Sequence, residues 1–370
     1  MSALAVQHGA VNLGQGFPDF GWPEDVVGRA ADALRAGSNQ YAPMRGLPEL
    51  RRAIADHYAH HQGLSLDPDW ITVTSGATEA LAAAIMALLS PGDEVVMIQP
   101  LYDAYLPLVL RAGGVPKLVR LEPPEWRITA EALDAAFTPR TRLVILNNPH
   151  NPTARVFGAD ELALIAERCI ASDAIAISDE VWEHLVFDEA VHIPLSSLPG
   201  MAERTVKVGS AGKIFSLTGW KVGWIVAPPA LGEPISKAHQ YFAYATPPNL
   251  QAAVAFGMAK EDDYYQAMRD GFVQSRNWLD AALRDAGFAT LRADGTYFLN
   301  VDLAASGVSL GDDAFCERAV REAGIAAVPL SVFYAEAPAT NVIRLCFAKK
   351  AETLEQGVAA LSAARDLLAG

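Results

Sequence analysis

Short apolar runs bounded by turn residues alternate with longer stretches of helical spacing through the first two thirds of the chain. Ile71-Thr72-Val73-Thr74 is a β-branched run that leads through Ser75-Gly76-Ala77-Thr78 into an Ala/Leu-rich helix over residues 79–89. Further compact apolar runs lie at 94–98, 143–146, 174–177 and 205–208, with helical spacing such as 159–171 between some of them. This pattern predicts an α/β unit with a mostly parallel sheet covered by helices on both faces. Residues 222–227 predict one more strand, antiparallel to its neighbour. After about residue 262 the texture changes. A helix is expected over 264–286, strands over 297–301 and 341–347, and helices over 312–323 and 354–368, which together make a smaller α+β unit. The first forty residues carry Gly14, Gly16, Pro18, Gly21 and Pro23 and predict an irregular arm. The expected division is therefore an arm with part of the small domain over 1–27, a large domain over 28–262 and a small C-terminal domain over 263–370.

Composition narrows the function classes. The 370 residues are 51% hydrophobic, enough for a sizeable core. Against 29 basic residues stand 43 acidic ones, a formal net charge of −14. Such a chain repels nucleic-acid backbones and anionic membranes at long range, while a few local donors can still hold a small anion. The three cysteines, Cys169, Cys316 and Cys346, form no C-x-x-C pair and are expected as free thiols in a reducing cytoplasm. No secretory signal is legible at the N-terminus, and the longest apolar run, 80–89, is about half of what a membrane span needs. No metal-ligand set is expected.

Five local signals carry candidate chemistry. Lys213 follows a predicted buried strand within Ser210-Ala211-Gly212-Lys213-Ile214-Phe215, where a desolvated amine suits imine chemistry on a carbonyl group. Ser178-Asp179-Glu180-Val181-Trp182 closes another strand, and a carboxylate at the carboxyl edge of a parallel sheet sits where such folds bind ligands. It can keep a pyridine nitrogen protonated. Asn147-Asn148-Pro149-His150-Asn151-Pro152 forces an extended loop able to present an amide donor. Ser75-Gly76-Ala77-Thr78 opens a helix and offers a phosphate cradle. Arg344, inside the apolar run Ile343-Arg344-Leu345-Cys346-Phe347, suits a bidentate carboxylate. Each has a plain structural alternative: a solvated lysine, a helix-capping Asp, turn chemistry, a capped helix start, an edge-strand Arg. Their joint order along one chain favours chemistry.

On these segments the chain resembles the fold-type I, pyridoxal phosphate-dependent class I/II aminotransferases. The resemblance is strongest to the kynurenine aminotransferase, glutamine transaminase K and methionine aminotransferase group. It also draws on Asn12-Leu13-Gly14-Gln15-Gly16-Phe17-Pro18-Asp19-Phe20, Asn39-Gln40-Tyr41 and Thr218-Gly219-Trp220-Lys221-Val222-Gly223-Trp224. It implies a large domain with a seven-stranded, mostly parallel sheet and a smaller α+β domain. By the same resemblance Lys213 carries the cofactor as an imine and later moves the substrate Cα proton. Asp179 pairs with the pyridine nitrogen, and Asn151 donates to the ring oxygen and borders the substrate. Ala77, Thr78, Ser210 and Lys221 hold the phosphate, and Tyr102 stacks on the ring. Tyr41 reaches the neighbouring subunit's phosphate, which implies a homodimer. Arg344, with the Gly16 backbone, takes the substrate carboxylate.

Two departures stand out. The family usually has Tyr three residues after the Asp, where this chain has Trp182. Loss of that hydroxyl leaves more charge on the ring oxygen, so the imine proton is expected to be held more tightly. Relatives also carry a further short arm before the segment matching Met1-Ser2-Ala3-Leu4, so either a shortened arm or a start codon assigned too late is expected. Taken with the subgroup resemblance, the aromatic residues Phe17, Trp22, Tyr102, Trp182, Tyr244 and Phe333, without an identifiable second Arg, favour a large apolar or aromatic amino donor, methionine or glutamine over aspartate. Two rivals remain at this point: a cysteine-conjugate β-lyase using the same cofactor, and a catalytically silent regulatory module.

Overall fold

Residues two apart along a strand share a face, and the central strands of this chain are apolar on both. In the computed structural model, which describes residues 1–368, Val95, Met97, Leu143, Ile145 and Ile177 pack in one layer with the helix Gly76–Leu88. Val96, Ile98, Val144, Leu146 and Ala176 pack in the opposite layer with the helix Ala159–Ala171. A third cluster joins Ile71, Val73 and Trp224 to the helices Pro48–Gln62 and Pro248–Met258.

In chain order the strands are β1 (Val11–Asn12), β2 (Ile71–Ser75), β3 (Glu94–Gln99), β4 (Val115–Arg120), β5 (Thr141–Asn147), β6 (Ile175–Asp179), β7 (Thr205–Ser210) and β8 (Val222–Val226). They continue with β9 (Ala289–Thr290), β10 (Phe298–Asp302), β11 (Ile325–Ala326), β12 (Val328–Pro329) and β13 (Val342–Cys346). The large sheet has seven strands in the order β2-β8-β7-β6-β5-β3-β4. β8 alone runs against the rest, antiparallel to both β2 and β7 as its sequence suggested. The remaining neighbours are parallel. The smaller sheet, β12-β13-β10-β9, is antiparallel throughout, and β1 pairs in parallel with β11.

Three features differ from expectation. The first forty residues are more than an irregular arm, since they fold the helices Ser2–His8 and Glu24–Ala36. β4 was hidden in the sequence because it is an edge strand, half exposed and interrupted by Pro116. The helix expected over 312–323 is α-helical only over Asp312–Arg318 and then widens into a π turn, Ala319–Ala323. All three cysteines are free and buried. No helix of the described residues is long and apolar enough to cross a membrane.

Behind the carboxyl end of β6 lies a buried ion network. Ser178 on β6 is in register with Lys207 on β7, so the Lys207 ammonium meets Glu180, and it reaches Glu183 Oε2 at 2.8 Å. His192 bonds Glu180 at 2.9 Å, Ser178 Oγ donates to it at 2.7 Å, and Tyr58 and Gln62 donate to Glu183 at 3.0 and 2.6 Å. Glu180, Glu183 and His192 lie close enough to share a metal ion, but the lysine ammonium bonds both carboxylates. Removing one partner of such a set leaves buried charge uncompensated. Lys207→Met is therefore expected to lower the unfolding free energy by about 3–5 kcal/mol, read from denaturant unfolding at neutral pH.

Candidate active site

Parallel strands deliver their last residues to one edge, and here that edge carries the chemistry. β5 ends on Asn147, β6 on Asp179 and β7 on Ser210, while Tyr102 follows β3 and Gly76 follows β2. Between them lies a cavity with about 730 Å³ of empty space and a mouth open to solvent. It is lined by Gly76, Ala77, Thr78, Tyr102, Asn147, Asn151, Asp179, Val181, Trp182, Ser210, Gly212, Lys213, Thr218 and Lys221.

One end of the cavity is built for an anion. The helix Gly76–Leu88 starts there, with backbone N–H groups free of intrahelical partners. Gly76 has φ +75°, and a Cβ on it would sit 3.3 Å from the Lys221 ammonium. Lys221 itself holds a left-handed backbone conformation, φ 55°. A Cβ on Gly223 would fall 2.6–2.7 Å from the Gly76–Ala77 peptide, so only glycine lets β8 approach this closely. Ser210 caps the short helix Ala211–Ile214, its Oγ accepting from Gly212 N at 3.2 Å.

The cavity floor is a carboxylate. Asp179 is 4% exposed and accepts from the Tyr105 hydroxyl at 2.7 Å. Burial pushes its pKa up to about 6, and the hydrogen bonds from Tyr105 and Val181 and the charge of Lys213 only partly oppose this. Asn147 Nδ2 donates to the Asp179 carbonyl at 2.9 Å, and Asn147 Oδ1 accepts from Asn151 N at 2.7 Å. This fixes the loop that holds Asn151. The Asn151 amide oxygen accepts from Arg344 Nη1 at 2.7 Å, which leaves its NH₂ as the donor on the cavity side of the amide.

Lys213 reaches into the same space. Desolvation lowers its amine to about 8, with Arg344 and Lys221 acting in the same direction. Its Nζ donates to Tyr297 Oη at 2.9 Å and stands 4.5 Å from the centre of the Trp182 ring. Arg344 on β13 lies against the Phe298 face at 3.9 Å and that of Phe333 at 4.7 Å. Burial lowers its pKa to about 10, and its Nε has no partner.

The residues expected from sequence thus meet around one cavity: Lys213, Asp179, Asn151, Ala77, Thr78, Tyr102, Ser210, Lys221 and Trp182 line it, and Arg344 touches it through Asn151. Gly16 joins through its carbonyl, which accepts from Tyr297. Tyr41 is outside the cavity, 85% exposed, with its ring edge-on to Tyr244 at 5.4 Å. Phe17, Trp22 and Tyr244 are also exposed and do not line the cavity. Sequence reasoning missed Tyr105 and Tyr297, whose partners lie 74 and 84 positions away. The donor set fits pyridoxal phosphate: a cationic helix start for the phosphate, a buried acid for the ring nitrogen, an unspent amide N–H for the ring oxygen and a depressed amine for the aldehyde.

The family model for aminotransferase class I and II matches residues 9–361. The chain is 44% identical to a probable N-succinyldiaminopimelate aminotransferase of Mycobacterium tuberculosis, covering 98% of this chain and 94% of that protein. A solved structure of that M. tuberculosis aminotransferase superposes with a TM-score of 0.95 at 44% identity, over 98% of this chain and 96% of the other. Methionine aminotransferase of Escherichia coli is also 44% identical, over 96% of this chain and 92% of its own length. Kynurenine–oxoglutarate transaminase 1 of Mus musculus is 36% identical, over 95% and 91%.

Holding Asp179 ionised in this pocket costs the ligand-free protein stability. Its folded pKa lies above the unfolded value, so the cost is absent below about pH 3.8 and complete above about pH 6. Ligand-free Asp179→Asn is expected to be more stable than wild type by up to about 3 kcal/mol at pH 8. The gain disappears as the pH approaches 4, which paired denaturation curves measure.

Proposed function

The chain belongs to the class I and II aminotransferases and is a pyridoxal phosphate-dependent transaminase, and we propose that its amino donors are L-amino acids with large apolar or aromatic side chains. Methionine, aromatic amino acids and kynurenine-like compounds make up this class, glutamine is a further, uncharged polar donor, and a 2-oxo acid is the acceptor. The observation that supports the site most directly is the convergence of a depressed lysine amine, a buried carboxylate and a cationic helix start on one cavity.

When bound, the cofactor supplies an aldehyde that captures amino groups and a protonated ring that draws electrons from the substrate Cα. Lys213 would carry that aldehyde and, once free, move the proton at Cα. Its depressed pKa leaves a useful fraction of neutral amine near pH 8. Asp179 would keep the ring nitrogen protonated, a task suited to a carboxylate with no cation bonded to it. Asn151 Nδ2 would donate to the ring oxygen, and Tyr102 would cover the ring face. Ala77, Thr78, Ser210 and Lys221 would hold the phosphate. Arg344, assisted by the Gly16 backbone, would bind the substrate carboxylate with its unpartnered Nε and fix Cα over Lys213.

Donor preference rests on what surrounds Arg344. Phe298, Phe333 and Trp182 give an apolar boundary, and the only cations lining the cavity among the described residues are Lys213 and Lys221. Both have other duties, so an acidic side chain finds no spare partner. The named relatives act on methionine, kynurenine and, as a probable activity, N-succinyldiaminopimelate. N-succinyldiaminopimelate carries further carboxylates, so the preference for apolar donors rests on the cavity lining and on the methionine and kynurenine relatives. A homodimer with Tyr41 completing the partner's phosphate site accords with the exposure of Tyr41, Tyr241, Phe242 and Phe256. A cytoplasmic location and the division 1–27, 28–262 and 263–370 complete the reading. The β1–β11 pairing, which ties the N-terminal segment to the last third of the chain, favours that division.

A panel of amino donors against 2-oxo acids tests this function. Methionine and aromatic donors are expected to exceed aspartate in kcat/KM, and a preference for aspartate contradicts the reading. Lys213→Ala is expected to lose about 10²–10⁴-fold or more in kcat. Arg344→Met is expected to lose about 100-fold in kcat/KM, from one charge-assisted contact to the carboxylate. Sedimentation of the holoenzyme checks the dimer.

A further inference from the structure

The Tyr297 hydroxyl is used twice. It accepts a hydrogen bond from Lys213 Nζ at 2.9 Å and donates its own proton to the Gly16 carbonyl. A phenol has a single proton, and here it is committed to Gly16, so Tyr297 offers Lys213 a lone pair and nothing else. An amine that donates one N–H to that lone pair keeps its own lone pair free, which a proton acceptor at Cα requires.

The ring is held as firmly as the hydroxyl. Tyr297 is 1% exposed. Trp182 meets it edge-on at 4.5 Å and 86°, and Phe298 packs at 5.0 Å. Trp182 also bounds the other side of the Lys213 ammonium, 4.5 Å from its ring centre. The indole at 182 has no hydroxyl to offer, and the hydroxyl that does meet the lysine comes from β10's approach, one residue before Phe298.

We propose that Tyr297 is a positioning residue for the Lys213 amine whenever that amine is not covalently engaged, and that its bond to Gly16 ties this position to the substrate-carboxylate segment. The proposal rests on the transaminase site described above. It deepens that reading by assigning the place where the amine waits between its two duties. The other groups that act on the amine are Asp179, Arg344, Lys221 and Cys346. None of them forms a hydrogen bond to Nζ.

The test compares Tyr297→Phe, which keeps the ring and its packing, with Trp182→Phe, which keeps the hydroxyl. Two readouts are taken: steady-state kinetics, and the pH dependence of pyridoxal phosphate capture by the cofactor-free full chain, followed by absorbance. Loss of the acceptor disfavours the ammonium, so the Tyr297→Phe capture profile is expected to move to lower pH by about one unit. Its kcat is expected to fall about tenfold or more, with KM changing by no more than about threefold. The Trp182→Phe capture profile, with an aromatic face and the Tyr297 hydroxyl both kept, is expected to shift by less than the Tyr297→Phe profile. A Tyr297→Phe profile that superimposes on wild type overturns the proposal, as does an equal shift in Trp182→Phe. Should Tyr297→Phe fail to fold, wild-type protein grown with 3-fluorotyrosine has a weaker acceptor at the same place and shifts in the same direction. No shift there overturns the proposal. An active Lys213→Ala overturns the site assignment itself, whereas an inactive Lys213→Ala beside a wild-type-like Tyr297→Phe overturns only the role of Tyr297.

Discussion

Strand polarity is the constraint from which the site follows. Side chains from distant parts of the sequence become neighbours only because β3, β5, β6 and β7 run the same way and stop together. Asn147 is in register with Asp179, so the amide that braces the Asn-Pro loop and the carboxylate beneath it arrive as a pair. The single reversed strand, β8, returns Lys221 and Gly223 to the same edge from the opposite direction. A helix begins directly after β2, and its free N–H groups complete the edge. No loop longer than a few residues is needed to assemble these groups.

Two consecutive carboxylates illustrate how the surroundings divide labour. Asp179 and Glu180 are both buried, but burial prevails at Asp179, which rises to about 6. Burial also pushes Glu180 up, and there Lys207 and His192 overcome it and hold the group at about 2. The difference is direction. Asp179 points to the cavity, where Tyr105 donates to its side chain at 2.7 Å and Val181 N at 3.4 Å, with no cation bonded to it. Glu180 points into the ion network under the sheet. That network stiffens the end of β6, so the poorly compensated acid is held by its well-compensated neighbour.

Most of the scaffold was legible because its strands are apolar on both faces and the helix Ala159–Ala171 carries a clear periodic stripe. The reversed orientation of β8 was also visible, and strand ends and turn residues marked Lys213, Asp179, Asn151 and Arg344 as candidates, with their expected roles drawn from the family resemblance. What stayed hidden depends on pairing across the chain. β4 lacks the apolar signature because it lies at the sheet edge. Lys207 sits in an otherwise apolar strand, and its meaning comes only from the register that sets it beside Ser178. Tyr105 and Tyr297 are ordinary aromatic residues in sequence. Their hydroxyls acquire roles when folding brings them to Asp179 and Lys213. The two N-terminal helices were obscured by the glycine and proline residues between them.

Asn151 is one small amide serving both ends of the cavity. Its oxygen takes a hydrogen bond from Arg344, and its backbone N–H is held by Asn147, the neighbour in register with Asp179. A guanidinium that turns toward an incoming anion relaxes its hold on that oxygen, and the polarisation of the amide changes with it. If a ligand above β6 also bonds this amide, its binding and that of an anion beside β13 are coupled through Asn151. By reciprocity, whatever one ligand gains from the presence of the other is returned in equal measure.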